Sequence, residues 1–309
     1  MKSSLSPSMM GFLLALTTAL MWGVLPVFLK VLLSHTDAYT ITASRFIFAA
    51  LFVLASLALS RALPHARQAT GAIWIVLFLS TFVLLINYVT NVIALAYVSP
   101  ATVQLILQLA PLILMIGGVV FYKESFSRLQ FFGAIVLFVG MGLFFNQRIP
   151  VILSSAVESI EGVFLVVLSA IAWAAYALTQ KKLLMSFTSA QLTLLIYILG
   201  SFLLLPFTDF ASLLTLSDWQ IFALLFCCLN TVIGYGAFTK AMHIWDTSKV
   251  SAVITIAPVF TYVSNKLAIE IAPDIFIDAQ MDMLAYLGAL MIMGGAMLAS
   301  IGRKTAKPL

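Results

Sequence analysis

Long apolar stretches alternate with short polar breaks along the whole chain. Most stretches are about twenty residues long, which at 1.5 Å per residue of α-helix is enough to cross a hydrocarbon core of roughly 30 Å. This pattern predicts ten helical spans, named here the first to the tenth. Their predicted bounds are 9–33, 38–60, 71–97, 99–121, 128–146, 160–180, 190–208, 218–242, 248–269 and 281–302. The predicted fold class is an all-α integral membrane protein.

Composition supports this prediction. The 309 residues are 63% hydrophobic and 9% charged, whereas soluble domains are about one quarter charged. No connection has room for a soluble domain. The basic start at Lys2 followed by an apolar run is also found in secretory signals, but the run 9–33 is long and has no convincing cleavage site, so we expect a retained helix.

The cysteines and the net charge exclude several other classes. Cys227 and Cys228 are the only cysteines and are adjacent within an apolar run, so neither a disulfide framework nor a metal site is expected. No cofactor is expected either. The net charge of +5 comes from basic residues at span ends rather than along a stripe, which favours the lipid bilayer rather than nucleic acid as the partner.

The distribution of basic residues predicts the orientation. If the N-terminus is cytoplasmic, twelve of the sixteen lie at inner ends, and only Lys30, Arg148 and Lys266 lie at outer ends. The remaining one, Arg45, lies within a span. The positive-inside bias therefore predicts a multi-pass protein of the inner or plasma membrane with both termini cytoplasmic, including the short basic tail 303–309.

The second half of the chain repeats the first. Trp22 and Trp173 are separated by 151 residues, as are Lys30 and Lys181. Offsets of 152, 147 and 155 align SHTDA at 34–38 with SFTSA at 186–190, Pro111 with Pro258, and glycines of the fifth span with glycines of the tenth. Each unit, 9–146 or 156–302, contains an odd number of spans. The second unit must therefore enter the membrane from the opposite face, which predicts an inverted repeat of the kind found in secondary carriers.

Short motifs carry a resemblance to a known family. They are the AxxWG pattern at 19–23, ALAYVSP at 94–100, the Ala-Pro pair at 110–111, YKES at 122–125, and the glycines of the fifth and tenth spans. With these the chain resembles drug/metabolite transporters of the EamA type. The resemblance implies a central cavity lined by the first, third, fourth, sixth, eighth and ninth spans, with the fifth and tenth peripheral. The second copy departs from the pattern at Ala174, where the first has Gly23, and in its longer, acidic connection between the last two spans.

Six polar side chains at membrane depth are the first candidates for a substrate site. An unpaired polar group in hydrocarbon is costly, so such residues should face protein or a hydrated cavity. They are Asn87, Asn91, Gln104, Gln108, Asn230 and Thr255. The alternative is that their amides hold helices together, at about 1 kcal/mol each. Amides without fixed charge would suit zwitterionic or neutral solutes.

Aromatic residues and two prolines extend this candidate site. The aromatic candidates for lining or gating are Trp22, Tyr88, Trp173, Tyr176 and Tyr235, with core packing as the alternative. Pro111 and Pro258 each remove one helical hydrogen bond and predict kinks at symmetric places in the fourth and ninth spans. These kinks are either hinges or static bends.

Arg45 is the only charge well inside a predicted span. A central arginine costs at least about 2.5 to 3.5 kcal/mol on insertion scales. It is expected either to anchor the outer loop or to be a charge partner of the substrate. No carboxylate falls near the midplane, so the sequence shows no dedicated proton relay.

Together these features predict a secondary transporter that works by alternating access. The leading prediction is efflux of amino acids or related zwitterionic or neutral small molecules. The alternative within carriers is an anionic or nucleotide-linked metabolite with Arg45 and Lys266 as its charge partners. A membrane enzyme would need clustered nucleophiles, bases or ligands, and the chain offers none. The glycines indicate close helix packing, which is compatible with a monomer or a homodimer.

Overall fold

The computed structural model describes residues 6–98, 100–124, 127–147, 149–150, 159–271 and 282–300. Within these ranges the chain is helical, with no strand. In the first unit the spans are Pro7–Leu33, Ala38–Leu59, Gly71–Ala94, a fourth made of Pro100–Leu107 and Leu109–Tyr122, and Arg128–Phe144. In the second unit the sixth and seventh spans are Ile160–Leu183 and Ser189–Leu204, and the tenth is Met283–Ser300. The eighth comprises Asp218–Asn230, a π-helical turn at Thr231–Tyr235, and Gly236–Ile244, and the ninth comprises Thr247–Ile254 and Ala257–Ile271.

The predicted fold class of ten membrane helices in two inverted five-helix units is confirmed. Eight helical segments are long and apolar enough to cross a membrane, and the fifth and tenth spans supply two shorter apolar helices. Many large apolar side chains, such as Leu51 and Phe82, are exposed on the outside of the bundle, as expected for a surface that faces lipid. The basic tail 303–309 and most of the acidic connection before the tenth span lie outside the described residues.

Polar capping residues explain where several spans begin. The side chain of Asp37 accepts hydrogen bonds from the backbone N–H groups of Tyr39 and Thr40, at 2.8 and 3.0 Å. Ser217 and Gln220 form a reciprocal capping box at the start of the eighth span. These side chains satisfy N–H groups that have no partner within the helix.

The fourth and ninth spans are interrupted at equivalent positions. The first helix of the fourth span ends at Leu107, and that of the ninth ends at Ile254. Each of these residues lies four positions before a proline, Pro111 or Pro258, which has no N–H to donate to its carbonyl. The missing bond accounts for both breaks. Whether they act as hinges stays a prediction.

The fifth and tenth spans are packed backbone to backbone through glycines. A Cβ added at Gly140 would lie 2.8 Å from the backbone nitrogen of Ile292 and 2.9 Å from the carbonyl oxygen of Gly288. One added at Gly133 would lie 2.5 Å from the nitrogen of Ala299. Real Cβ atoms do not approach backbone this closely, so glycine is required along this seam. The seam joins the last span of one unit to the last span of the other.

Replacing Gly140 with valine is expected to lower the melting temperature of the purified protein in detergent. The added side chain forces the two backbones apart, and overpacking of this kind costs about 1 to 3 kcal/mol or more. Gly142 is the matched control on the same helix, because a Cβ there meets nothing within 4 Å. Thermal unfolding followed by size-exclusion chromatography should separate the two variants. Equal melting temperatures for both would contradict the seam.

Candidate functional site

A cavity of about 130 Å³ lies between the two units. Its volume would hold several water molecules or a small solute. Its lining combines apolar, aromatic, amide and cationic groups. These are Trp22, Leu25, Pro26, Leu29, Arg45, Asn87, Tyr88, Asn91, Val92, Gln104, Leu107, Gln108, Ala110, Pro111, Trp173, Tyr235, Ile254 and Ala257. The second span takes part through Arg45, which the family resemblance did not imply.

The cavity occupies the half of the bundle nearer the predicted outer face. The first span runs outward, and its lining residues begin at Trp22 and continue to Leu29. The fourth span runs inward, and its lining residues end at Pro111, well before Tyr122. The cavity therefore extends from mid-depth toward the predicted outer face.

Aromatic rings form the floor of the cavity on its inward side. The ring of Trp22 lies 5.4 Å from that of Trp173, 4.8 Å from Tyr235 and 5.4 Å from Phe238, measured between centroids. Phe238 also lies 5.3 Å from Trp173 and is fully buried. Edge-to-face and tilted pairs at these distances are favourable. Trp22 is thus in contact with rings from the other unit, and its indole N–H is buried without a hydrogen-bond partner.

Arg45 is 2% exposed and lines the cavity. Its Nε donates to the hydroxyl of Thr231 at 2.9 Å, and its central carbon lies 4.7 Å from the centre of the Tyr88 ring. At the equivalent position of the second unit, 152 residues later, stands Tyr197, whose hydroxyl donates to the carbonyl of Thr231 at 3.0 Å. Two symmetry-related side chains of different charge therefore hold the same residue.

Thr231 begins a π-helical turn that ends at Tyr235 in the eighth span. Wider π turns interrupt regular helix bonding and are frequent at functional sites. The carbonyl of Gly234 within this turn accepts a hydrogen bond from the hydroxyl of Thr18 at 3.2 Å. The turn thus presents Tyr235 to the cavity and its backbone carbonyls to neighbouring spans.

The four amide side chains that line the cavity differ in how they are bonded. Asn87 donates to the carbonyl and the hydroxyl of Ser169 at 3.0 and 2.8 Å, so it ties the third span to the sixth. Gln108 donates to the carbonyl of Gln104 at 3.2 Å, and its own side-chain oxygen is buried without a partner. Among the described residues, no hydrogen bond engages the side-chain amides of Asn91 and Gln104. Three amides therefore retain capacity to bond a solute.

Four other predicted residues lie away from the cavity lining. The hydroxyl of Tyr176 is bonded by Gln180, and that of Thr255 donates to the carbonyl of Ala252. Asn230 donates to the carbonyl of Met21, which ties the eighth span to the first. Pro258 follows the break in the ninth span. These side chains serve contacts between or within helices in this conformation.

The bundle is closely packed between the aromatic floor and the predicted cytoplasmic face. Tyr176, Gln180, Leu183, Thr239 and Ser251 are each at most 1% exposed. Because side chains of both units meet here, a solute in the cavity has no route inward in this conformation. The hydroxyl of Ser251 in the ninth span donates to the carbonyl of Pro111 in the fourth, directly across the boundary between the units.

Glu124 closes this inward end through bonds to the other unit. Its carboxylate accepts from the N–H groups of Thr247 and Ser248 at 2.8 and 2.9 Å, and from the Ser248 hydroxyl at 2.8 Å. It also pairs with the ammonium of Lys181 at the end of the sixth span. A carboxylate at a helix N-terminus is stabilised by the free N–H groups and the helix dipole. Glu124, Lys181, Thr247 and Ser248 are called the inner latch below.

The inner latch is expected to be insensitive to pH in the physiological range. Burial opposes ionisation of Glu124, but Lys181 and the N–H groups of Ser248 and Thr247 outweigh it and lower the pKa of the carboxyl from its ordinary 4.5. A lowered pKa means that the stabilisation is complete above the ordinary value and is lost as the pH falls through the lowered one. The latch should therefore stay closed from about pH 5 to 8.

The closure of the inner latch can be measured with a cysteine placed at Ser251. The native cysteines of the chain are first replaced by alanine. Labelling of the introduced cysteine by a maleimide, normalised at each pH to the same thiol in unfolded protein, should be flat across that range and rise only in stronger acid. A rise with a midpoint above pH 5 would contradict the assignment.

Sequence reasoning did not find the apolar lining or the inner latch. Leu25, Leu29 and Val92 are as apolar as side chains that face lipid, so hydropathy cannot show that they line a cavity. Glu124 was visible in the YKES motif and at the end of a span, but its partners come from distant spans. The sequence did contain a signal for the latch. Glu124 follows an apolar run in the first unit, and Lys181 and Ser248 lie at span ends of the second unit.

Comparison with known proteins gives a consistent result. The model of the EamA-like transporter family matches residues 9–146 and 160–301. An uncharacterized transporter of Haemophilus influenzae is 36% identical over 296 residues, covering 96% of this chain and 96% of that protein. The uncharacterized inner membrane transporter YhbE of Escherichia coli K12 is 37% identical over 295 residues, covering 95% and 92%.

A solved crystal structure is similar over 94% of this chain and 96% of its own, with a TM-score of 0.69 at 16% identity. At this identity the likeness concerns the fold alone. It agrees with the helical architecture described above. The exact bounds of the two units, 9–146 and 156–302, stay a prediction.

Proposed function

Since the chain belongs to the EamA-like transporter family, we propose that it carries small zwitterionic or neutral metabolites, above all amino acids, out across the inner membrane by alternating access. The chain is an integral multi-pass membrane transporter by family and by fold. The substrate class, the outward direction and the cytoplasmic placement of both ends are the proposal. A transporter family is also consistent with the prediction that the chain is not an enzyme.

One observation carries the proposal: a cavity lined by apolar, aromatic, amide and cationic groups lies between the units, and the bundle is closed on its inward side. The lining comes from the first four spans of one unit and from the sixth, eighth and ninth spans of the other. A tilt of one unit against the other that breaks the inner latch would open the cavity toward the predicted cytoplasmic face. This is the movement that inverted-repeat carriers use.

The free bonding capacity of the cavity suits a solute with both donors and acceptors. The buried oxygen of Gln108 accepts, while the indole N–H of Trp22 donates, and neither has a protein partner. The amides of Asn91 and Gln104 offer both. The surrounding rings and leucines provide the apolar surface that a side chain or a small organic group would contact.

The alternative of a nucleotide-linked metabolite is disfavoured by size. A cavity of about 130 Å³ is well below the roughly 300 to 1,000 Å³ of sites for drug-sized ligands. Small anions remain compatible with the guanidinium of Arg45. The distinction between neutral, zwitterionic and anionic solutes is therefore the useful one to test.

The test is counterflow with the purified protein in proteoliposomes. The panel consists of labelled neutral and acidic amino acids, a sugar phosphate and a nucleoside monophosphate. We expect exchange of one or more amino acids, reduced at least tenfold by Gln108→Ala and unchanged by Phe82→Ala on the lipid-facing surface. Direction follows from efflux by preloaded cells that express the protein. Exchange of none of the amino acids would contradict the proposal.

A further inference from the structure

We propose that Arg45 binds a carboxylate of the transported solute, so that this transporter selects molecules that carry one. This inference rests on the proposed function for its biological meaning, but it concerns binding and is testable without transport.

The guanidinium of Arg45 has donors that the described residues leave unused. Only its Nε is engaged, by the hydroxyl of Thr231, and no hydrogen bond or ion pair in the described part of the chain engages its two terminal amino groups. A guanidinium carries five N–H donors in one plane. Since Arg45 is buried and lines the cavity, we expect those remaining donors to bond water or solute.

No acidic side chain among the described residues neutralises this charge. Asp37, the acid on the same helix, is occupied by the N–H groups of Tyr39 and Thr40 and by the hydroxyl of Thr40. Glu124 is bonded in the inner latch, beyond the aromatic floor. A buried charge without a partner is costly in a low-dielectric interior. An anionic group that enters the cavity would remove that cost, which makes Arg45 a binding residue and not only an anchor.

The planar guanidinium of Arg45 suits a carboxylate. A guanidinium fork matches the two oxygens of a carboxylate in a bidentate pair. The Nε bond to Thr231 and the contact with the Tyr88 ring fix the plane of the fork, so little freedom is lost on binding. Tyr88 also lines the cavity, and its hydroxyl is buried there.

The acceptor oxygen of Gln108 lies in the same cavity, without a hydrogen-bond partner. It completes a set of groups complementary to an α-amino acid, because an ammonium group needs acceptors. A carboxylate on Arg45 and an ammonium on Gln108 would satisfy both groups at once. The selected class is thus small carboxylates, with α-amino acids as the best match.

The experiment compares acids with their amides on purified protein in detergent. The probes are L-alanine, L-leucine and L-phenylalanine, each against its α-carboxamide, which keeps the ammonium and the side chain. Wild-type protein should be stabilised against heat by one or more of the acids and not by the matching amide. In Arg45→Gln the affinity for that acid should fall roughly 30-fold or more, and Arg45→Lys should retain part of it. Arg67→Gln, an exposed arginine outside the spans, is the matched control and should behave as wild type.

The outcomes separate this inference from the proposed function. Equal stabilisation by acid and amide, no response to any acid, or unchanged acid affinity in a folded Arg45→Gln would overturn the inference, while counterflow of neutral solutes would leave the proposed function standing. Arg45-dependent binding without counterflow would support the inference and overturn the function. If Arg45→Gln does not fold, the acid and amide comparison on wild type and the Arg45→Lys variant decide.

Discussion

Replacing Glu124 with alanine is expected to open the predicted cytoplasmic side of the bundle. The change leaves the N–H groups of Thr247 and Ser248 and the ammonium of Lys181 without their acceptor. The ammonium is partly exposed, so we estimate the loss at about 2 to 3 kcal/mol, less than a fully buried ion pair. That shifts the balance between closed and open forms by roughly 30- to 150-fold. The cysteine at Ser251 should then be labelled much faster in membrane vesicles.

The matched control is Glu161→Ala, which removes an exposed glutamate at the opposite end of the sixth span. Its labelling rate should equal that of the parent. Glu124→Gln should fall between the two, since a neutral amide keeps one acceptor oxygen. Unchanged labelling in Glu124→Ala would show that the latch does not hold this side closed.

Replacing Trp22 with alanine is expected to reduce transport strongly while leaving much of the fold intact. The indole contacts Trp173, Tyr235 and Phe238 across the boundary between the units, and truncation of a packed tryptophan costs about 3 to 5 kcal/mol. The floor would lose its central ring and the cavity would no longer end there. Counterflow of the preferred solute should fall more than tenfold.

Trp219→Ala tests whether this effect belongs to the site. Trp219 lies near the start of the eighth span, 42% exposed, and stacks on Phe222 at 5.5 Å. Its removal takes away the same indole from a surface position, so transport should change by less than twofold. Comparable losses in both variants would indicate that the floor has no special role.

The fold could be predicted from the sequence because each span is recognised from its own residues, independently of the others. A span needs only length and apolar composition, and its ends are marked by caps such as Asp37 and Ser217. The break at Gln108 was foreseeable, because Pro111 lacks the donor for the carbonyl four residues earlier. The glycines at 133 and 140 predicted close helix packing, but they did not identify the partner helix. A helix that packs closely against another helix of the same chain needs small residues, and so does one that packs against a second copy of the chain.

The candidate site was less accessible to prediction. Asn87 and Asn91 are on one helix face, yet Asn87 is committed to Ser169 while Asn91 is not. That difference depends on which residue of the sixth span lies opposite, and spacing within the third span does not contain it. Burial of Arg45 was predictable, whereas its bond to Thr231 depends on a π-helical turn that leaves no mark in hydropathy.

The pairing of Arg45 with Tyr197 around Thr231 has a consequence for the orientation of the cargo. Two units related by a twofold axis would by themselves accept a molecule either way round with equal ease. Arg45 places a cation on one side of that axis and Tyr197 places a phenol on the other, so the two orientations of a cargo are no longer equivalent. A cargo with one negative end would hold the same heading throughout the cycle, so one end would face the outer exit and the other end would face the inner exit.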